Sequence, residues 1–251
     1  MVRFIALAFG ITWLFVMPLV FAKAGFDPAI PPWLHGLGAF GPILAAYWSP
    51  RDHGIFETRG RSGMTLSWIA VSLATPVLFA LVSLAAVAMS RVPVVHPLLS
   101  AGSHAAWWLD LTVGSVLYGI GEEPEWRGWL LPRLQQRHTP VGATLLLAPI
   151  WAAWHAPFFF YRFDFAGLGT VVGFFVGLLA RAFWLTFLFN STGGSVRVVA
   201  GWHVIWNVAN IALAAVSPTA VAILNALMMV LGFGVAVVFG RHGLRVWERA
   251  N

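Results

Sequence analysis

The chain contains no cysteine, a single lysine (Lys23) and little charge of either sign: 15 basic and 9 acidic residues among 251, or 10%. A soluble domain carries about 25%. Without cysteine there is no disulfide framework, no thiol catalysis and no Cys-ligated metal. The scarcity of charge, beside 59% hydrophobic residues, argues against a disordered chain, an ordinary soluble enzyme and a nucleic-acid partner. The net charge of +6 does not reverse this. The arginines sit between long apolar runs, which is where membrane proteins place them.

A membrane-spanning helix needs roughly 20 mostly apolar residues. About eight runs qualify, at 4–22, 34–49, 66–89, 105–131, 141–160, 166–189, 195–216 and 218–239. The second is short, and the fourth is long and polar. The runs are too continuous for barrel strands, which alternate in polarity. The expected fold is all-α: one polytopic membrane domain over 1–251, embedded in the lipid bilayer, with no second domain and no repeat. With the N-terminus inside, the inner segments carry ten arginines (Arg3, Arg51, Arg59, Arg61, Arg133, Arg137, Arg197, Arg241, Arg245, Arg249). The outer segments carry Lys23, Arg91 and Arg162. The positive-inside rule then places both termini in the cytoplasm, as in a bacterial inner membrane. The first run also has signal-peptide features: Arg3, an apolar stretch and the small-x-small site Ala22-Lys23-Ala24. Seven further runs would anchor the chain without it, so retention is the expectation.

The charges that topology does not use are the informative ones. An ionisable group at mid-span costs at least about 2.5–3.5 kcal/mol and is a functional candidate by default. The fourth run holds Gly121-Glu122-Glu123-Pro124-Glu125-Trp126-Arg127-Gly128. Glu123 and Arg127 are one helical turn apart and can pair, which leaves Glu122 free. Pro124 predicts a kink or break. The competing reading ends the span near Ile120 and makes the acidic cluster the start of an amphipathic surface helix. The fifth run holds Trp151 and His155; the seventh holds His203 and Asn207, which share a helix face. At 1.5 Å per residue from the cytoplasmic ends, Glu122, His155, His203 and Asn207 lie about 15, 21, 12 and 18 Å deep, in one layer. His35, His53, His96, His104, His138 and His242 fall in loops or at span ends and read as solvated or interfacial. Arg181, inside the sixth run, either pairs with an acid such as Glu125 or snorkels to the cytoplasmic side.

A carboxylate and a histidine converging at one buried spot can activate water. A second histidine with an amide beside it can donate to a developing oxyanion. The same Glu122, His155 and His203 could instead hold Zn²⁺ with an open site, although the compact His-Glu-x-x-His pattern is absent.

Glu122-Glu123-x-x-x-Arg127-Gly128 resembles the EExxxRG motif of the CPBP family, which joins type II CAAX prenyl endopeptidases with bacterial Abi-type proteins. Trp151-x-x-x-His155 resembles the second motif, usually Phe-x-x-x-His. The tryptophan alters packing beside His155 and removes no catalytic group. His203-x-x-x-Asn207 resembles the third. The resemblance covers about 105–216 and implies an intramembrane endopeptidase core acting on a membrane-associated protein or peptide. It implies Glu122 as the base that activates water with His155, His203 and Asn207 as the oxyanion site, and Glu123 and Arg127 in support. It is compatible with a glutamate-water mechanism or with a zinc enzyme. Two other classes compete. A proton-coupled transporter would use Glu and His as a relay, but residues 1–100 show no counterpart of the 121–128 break. An inactive immunity or scaffold protein is the other, against which every expected catalytic position is filled.

Overall fold

The computed structural model describes residues 1–26, 30, 34–48, 66–90, 110–163 and 167–244. The inner link 50–65, with Arg51, Arg59, Arg61 and His53, lies outside the described residues, as do Arg91, His96, His104, Arg245 and Arg249. Among the described residues the architecture is all-α, with no strand. Helices α1 (Val2–Lys23), α2 (Leu34–Gly38), α3 (Phe40–Trp48) and α4 (Leu66–Ser90) precede the motifs. Then follow α5 (Ser115–Glu125), α6 (Leu131–Gln135), α7 (Pro140–Trp154), α8 (Leu168–Ser191), α9 (Val196–Ala214) and α10 (Pro218–Phe239).

Five of these, α1, α4, α8, α9 and α10, are long and apolar enough to cross a membrane. The other three expected runs are interrupted, each for a local reason. Run 34–49 is two short helices hinged at Ala39. Run 105–131 is α5 flanked by π-helical turns at Asp110–Gly114 and Trp126–Leu130, continuing into α6. Pro124 lies inside α5 near its end, where its missing N–H and ring perturb the i→i−4 ladder, and the π turn follows directly. π turns concentrate at functional sites. Run 141–160 stops being α-helical at Trp154 and tightens into a 3₁₀ turn at Ala156–Phe160, with Pro157 in its first turn.

The helix starts are written in the sequence. Thr139 caps α7 by accepting the Gly142 N–H, with Pro140 as the first helical residue. Gly193 and Gly194, with φ of 65° and 88°, turn the chain from α8 into α9, where Ser195 accepts the Val198 N–H. Ser217 and Pro218 open α10 in the same manner.

α1 buries Phe4, Ala8, Thr12, Val16 and Leu19, a spacing of three and four that defines one face. That face packs on α2 and α3. Phe4 stacks on Trp129 at 4.2 Å between centroids. The Thr12 hydroxyl donates to the Gly38 carbonyl (2.8 Å) and accepts from Trp154 Nε1 (3.0 Å). The run that resembles a signal peptide is thus a packed element of the fold. α9 is the centre of the other half and packs on α4, α5, α8 and α10.

Candidate active site

Glu122 and Glu123 occupy the last turn of α5, followed by Arg127 in the π turn. Glu122, Glu123, Glu125 and Arg127 are all buried, so the acidic cluster is not the exposed start of a surface helix. Glu123 Oε1 accepts from Arg127 Nη1 at 2.9 Å, the pair expected from their spacing. The same oxygen is 2.7 Å from His203 Nδ1. A carboxylate only accepts, so the ring proton sits on Nδ1 and leaves Nε2 for the interior. The Arg127 guanidinium also lies over the Trp151 indole, 4.1 Å from the ring centroid, which offers its face to the cation.

Glu122 points the other way. Its Oε2 accepts from Trp151 Nε1 at 2.5 Å. One turn along the chain, His155 Nδ1 is 2.7 Å from the Trp151 carbonyl. A carbonyl can only accept, so His155 also carries its proton on Nδ1 and presents a lone pair on Nε2. Trp151 therefore holds both the carboxylate and the imidazole. The tryptophan in place of the usual phenylalanine adds an indole N–H that a phenylalanine lacks.

Glu122, His155, His203 and Asn207 all line one cavity of about 970 Å³. Three helices separated by up to 85 positions in sequence thus bring the expected groups to one space, while Glu123 and Arg127 stand behind its wall. The approach of α5 to α9 depends on Gly119, where a Cβ would lie 2.5 Å from Val204 Cγ2 and 2.8 Å from the Val204 nitrogen.

Several lining residues have no place in the motifs. His35 was expected to be interfacial. It is 8% exposed and lines the cavity, with Nδ1 2.5 Å from the Tyr161 hydroxyl and 3.2 Å from that of Tyr118. Its partners lie 83 and 126 positions away, beyond the reach of any local pattern. His138 and His242 are exposed, as expected. Arg181 does not pair with Glu125: it lines the cavity with its guanidinium 5.8 Å from the Trp206 ring centroid. Both Glu125 oxygens are buried and take no hydrogen bond among the described residues. Asn210 and Asn225 also line the cavity, joined at 3.2 Å. As amides in apolar helices they satisfy the criterion that singled out His203.

Among the described residues no three His, Asp or Glu side chains are gathered to hold a metal ion. Glu122, His155 and His203 share the cavity, but as arranged they are not gathered as a Zn²⁺ ligand set.

No curated protein matches the chain. Residues 104–209 match the family model described as Rce1-like, type II CAAX prenyl endopeptidase, and all three motifs lie inside that stretch.

Proposed function

We propose that the protein is an intramembrane endopeptidase that hydrolyses a peptide bond of a membrane-associated protein or peptide, using water activated by Glu122 and His155. The observation that carries this reading is the convergence of Glu122, His155, His203 and Asn207 on one cavity inside a helical bundle. Glu122, fixed through one oxygen by Trp151, takes a proton from a water in the cavity, and His155 Nε2 accepts the second hydrogen. The oxygen attacks the scissile carbonyl and the new C–O bond forms. His203 and Asn207 form the oxyanion site: Glu123 holds the His203 ring through Nδ1, and the Asn207 amide donates to the oxyanion. Collapse breaks the C–N bond, and Glu122 passes its proton to the leaving amine. A water-poor cavity strengthens each of these polar contacts. The family match and the apolar helices support a membrane setting, and the arginine distribution supports a bacterial inner membrane with both termini cytoplasmic.

The test compares protein termini in cells expressing wild type or Glu122→Gln, with and without a chelator. The expected result is one set of termini that vanishes in the variant and persists with chelator. Loss of the general base costs about 10²–10⁴-fold in rate, and Asn207→Ala costs about 10²–10³-fold. Identical termini in wild type and Glu122→Gln would refute the peptidase reading; loss on chelation would refute the metal-free mechanism.

A further inference from the structure

Arg127 and Arg181 both stand inside the helical bundle, and they are held differently. Arg127 is neutralised from within: Glu123 accepts from it at 2.9 Å and Trp151 offers it a ring face at 4.1 Å. Arg181 stands mid-way along α8 and lines the cavity. Among the described residues its Nε is buried without a hydrogen-bond partner and its guanidinium forms no ion pair. Its contact with Trp206 is distant, at 5.8 Å from the ring centroid. Glu125, a buried carboxylate that could have neutralised it, is also left without a partner. A charge inside apolar helices is costly, and here no protein group offsets it. An arginine kept at that cost and turned into a cavity is placed for an anion that arrives with a ligand or forms on it.

Its position selects between the two. The lining of α5 ends at Glu122 and that of α8 ends at Arg181, whereas α7 enters the lining at Trp151 and α9 at His203. Contacts tie these groups into one layer. Glu122 accepts from Trp151, the Trp151 ring lies 6.0 Å from that of His203, and Arg181 faces Trp206. Trp206 belongs to the turn of α9 between His203 and Asn207, so the guanidinium stands beside the turn that carries the proposed oxyanion site. That site is short of donors. The Nδ1–H of His203 is committed to Glu123, and Nε2 of the neutral ring holds a lone pair, which leaves the Asn207 amide alone. A guanidinium brings several N–H donors and keeps its charge. Glu122 and Arg127 are the charges that act on Arg181. Glu122 nevertheless forms no ion pair with it, so base and cation face the same space without closing on each other.

We propose that Arg181 is a catalytic residue of the hydrolysis, whose guanidinium donates to the oxyanion that forms on a scissile carbonyl held between it and Glu122. The proposal rests on the peptidase reading and adds to it the charged donor of the oxyanion site. When the water oxygen adds to the carbonyl carbon, the carbonyl π electrons pass to its oxygen, which becomes an anion. Arg181 meets that charge with hydrogen bonds and transfers no proton. When the C–N bond breaks, the electrons return and the anion disappears. The neutral carbonyl of the bound peptide gains little from the cation, so the contact acts in the transition state and not in the bound substrate.

The test uses the full chain in detergent and a peptide spanning a junction that vanishes in Glu122→Gln cells. A second peptide carries a phosphonamidate, tetrahedral and anionic, in place of the scissile amide. Arg181→Met removes the charge and keeps an apolar side chain of similar length. It is expected to lower kcat about 10²–10³-fold with KM nearly constant, and to weaken binding of the phosphonamidate peptide by a comparable factor. Because no protein group offsets the charge, its unfolding midpoint is expected to be at least that of wild type. Arg181→Lys keeps a point charge without the planar fork and is expected to fall between wild type and Arg181→Met in kcat. Wild-type kcat in Arg181→Met, a higher KM at unchanged kcat, or undiminished binding of the phosphonamidate peptide overturns the proposal and leaves Glu122 as the base. Aggregation of Arg181→Met with wild-type kcat in Arg181→Lys makes the arginine structural and overturns it as well. If no junction distinguishes wild type from Glu122→Gln, the peptidase reading falls and this assignment falls with it.

Discussion

Trp151 is the residue on which the most contacts of the site depend. Its indole N–H binds Glu122, its carbonyl binds His155 and its face carries Arg127. Its place in the second motif was legible in the sequence, but its bond to Glu122 was not, because the two residues are 29 positions apart on different helices. Trp151→Phe keeps the packing and removes only the N–H. Hydrogen bonds to charged groups contribute about 1.5–3 kcal/mol, so kcat is expected to fall about 10- to 100-fold with KM nearly constant. Steady-state kinetics on an identified substrate check this split. The neighbouring acids divide in the same way. Glu123→Gln leaves Arg127 buried without its carboxylate and is expected to cost about 3–5 kcal/mol. Glu125→Gln abandons no cation, since neither Glu125 oxygen has a partner among the described residues, and is expected to be close to neutral. Unfolding of both variants in detergent, beside wild type, measures the difference.

At the scale of elements, the long apolar runs were readable because bilayer thickness fixes their length. The interrupted runs were not, because what breaks them is local and functional. The π turn at Trp126–Leu130 and the 3₁₀ turn at Ala156–Phe160 directly follow the residues that carry Glu122 and His155. Composition records that these stretches are apolar or polar, not that the helix changes its pitch there. The depth estimate nevertheless placed Glu122, His155, His203 and Asn207 together, since antiparallel helices of known rise leave little freedom along the membrane normal. Lateral position was invisible, which is why His35 was misjudged. The lateral fit of α5 to α9 rests on Gly119, whose hydrogen faces Val204. Gly119→Ala forces the helices apart and is expected to destabilise by about 1–3 kcal/mol. Because α5 carries Glu122 and α9 carries His203 and Asn207, activity is expected to fall further than the loss of folded protein explains. Specific activity per folded molecule, quantified after size exclusion, separates the two effects.

For the whole molecule, the stretch that matches the family model begins only at residue 104, yet the candidate site is braced from outside it. α1 reaches both of the elements that carry the first two motifs. Phe4 packs on Trp126 and Trp129 beside the first motif, and Thr12 and Trp13 bond the indole N–H and carbonyl of Trp154, next to His155. Nothing in the first helix's own sequence announces this role, since an apolar helix that inserts and one that also packs have the same composition. The two roles predict different behaviour. If α1 were only an anchor, a chain lacking residues 2–24 would still insert and cleave through its remaining helices. Because its buried face closes the bundle, removal uncovers Trp126, Trp129 and the Trp154 N–H together, and the truncated chain is expected to aggregate on extraction into detergent. Thr12→Val is the finer probe. It keeps the helix and its apolar face but strands the Trp154 N–H and the Gly38 carbonyl, at a cost of about 1–3 kcal/mol for each group left unsatisfied. A lowered unfolding midpoint for Thr12→Val with a monodisperse elution profile, beside aggregation of the truncated chain, identifies α1 as part of the folded core. Wild-type stability in both variants would reduce it to an anchor.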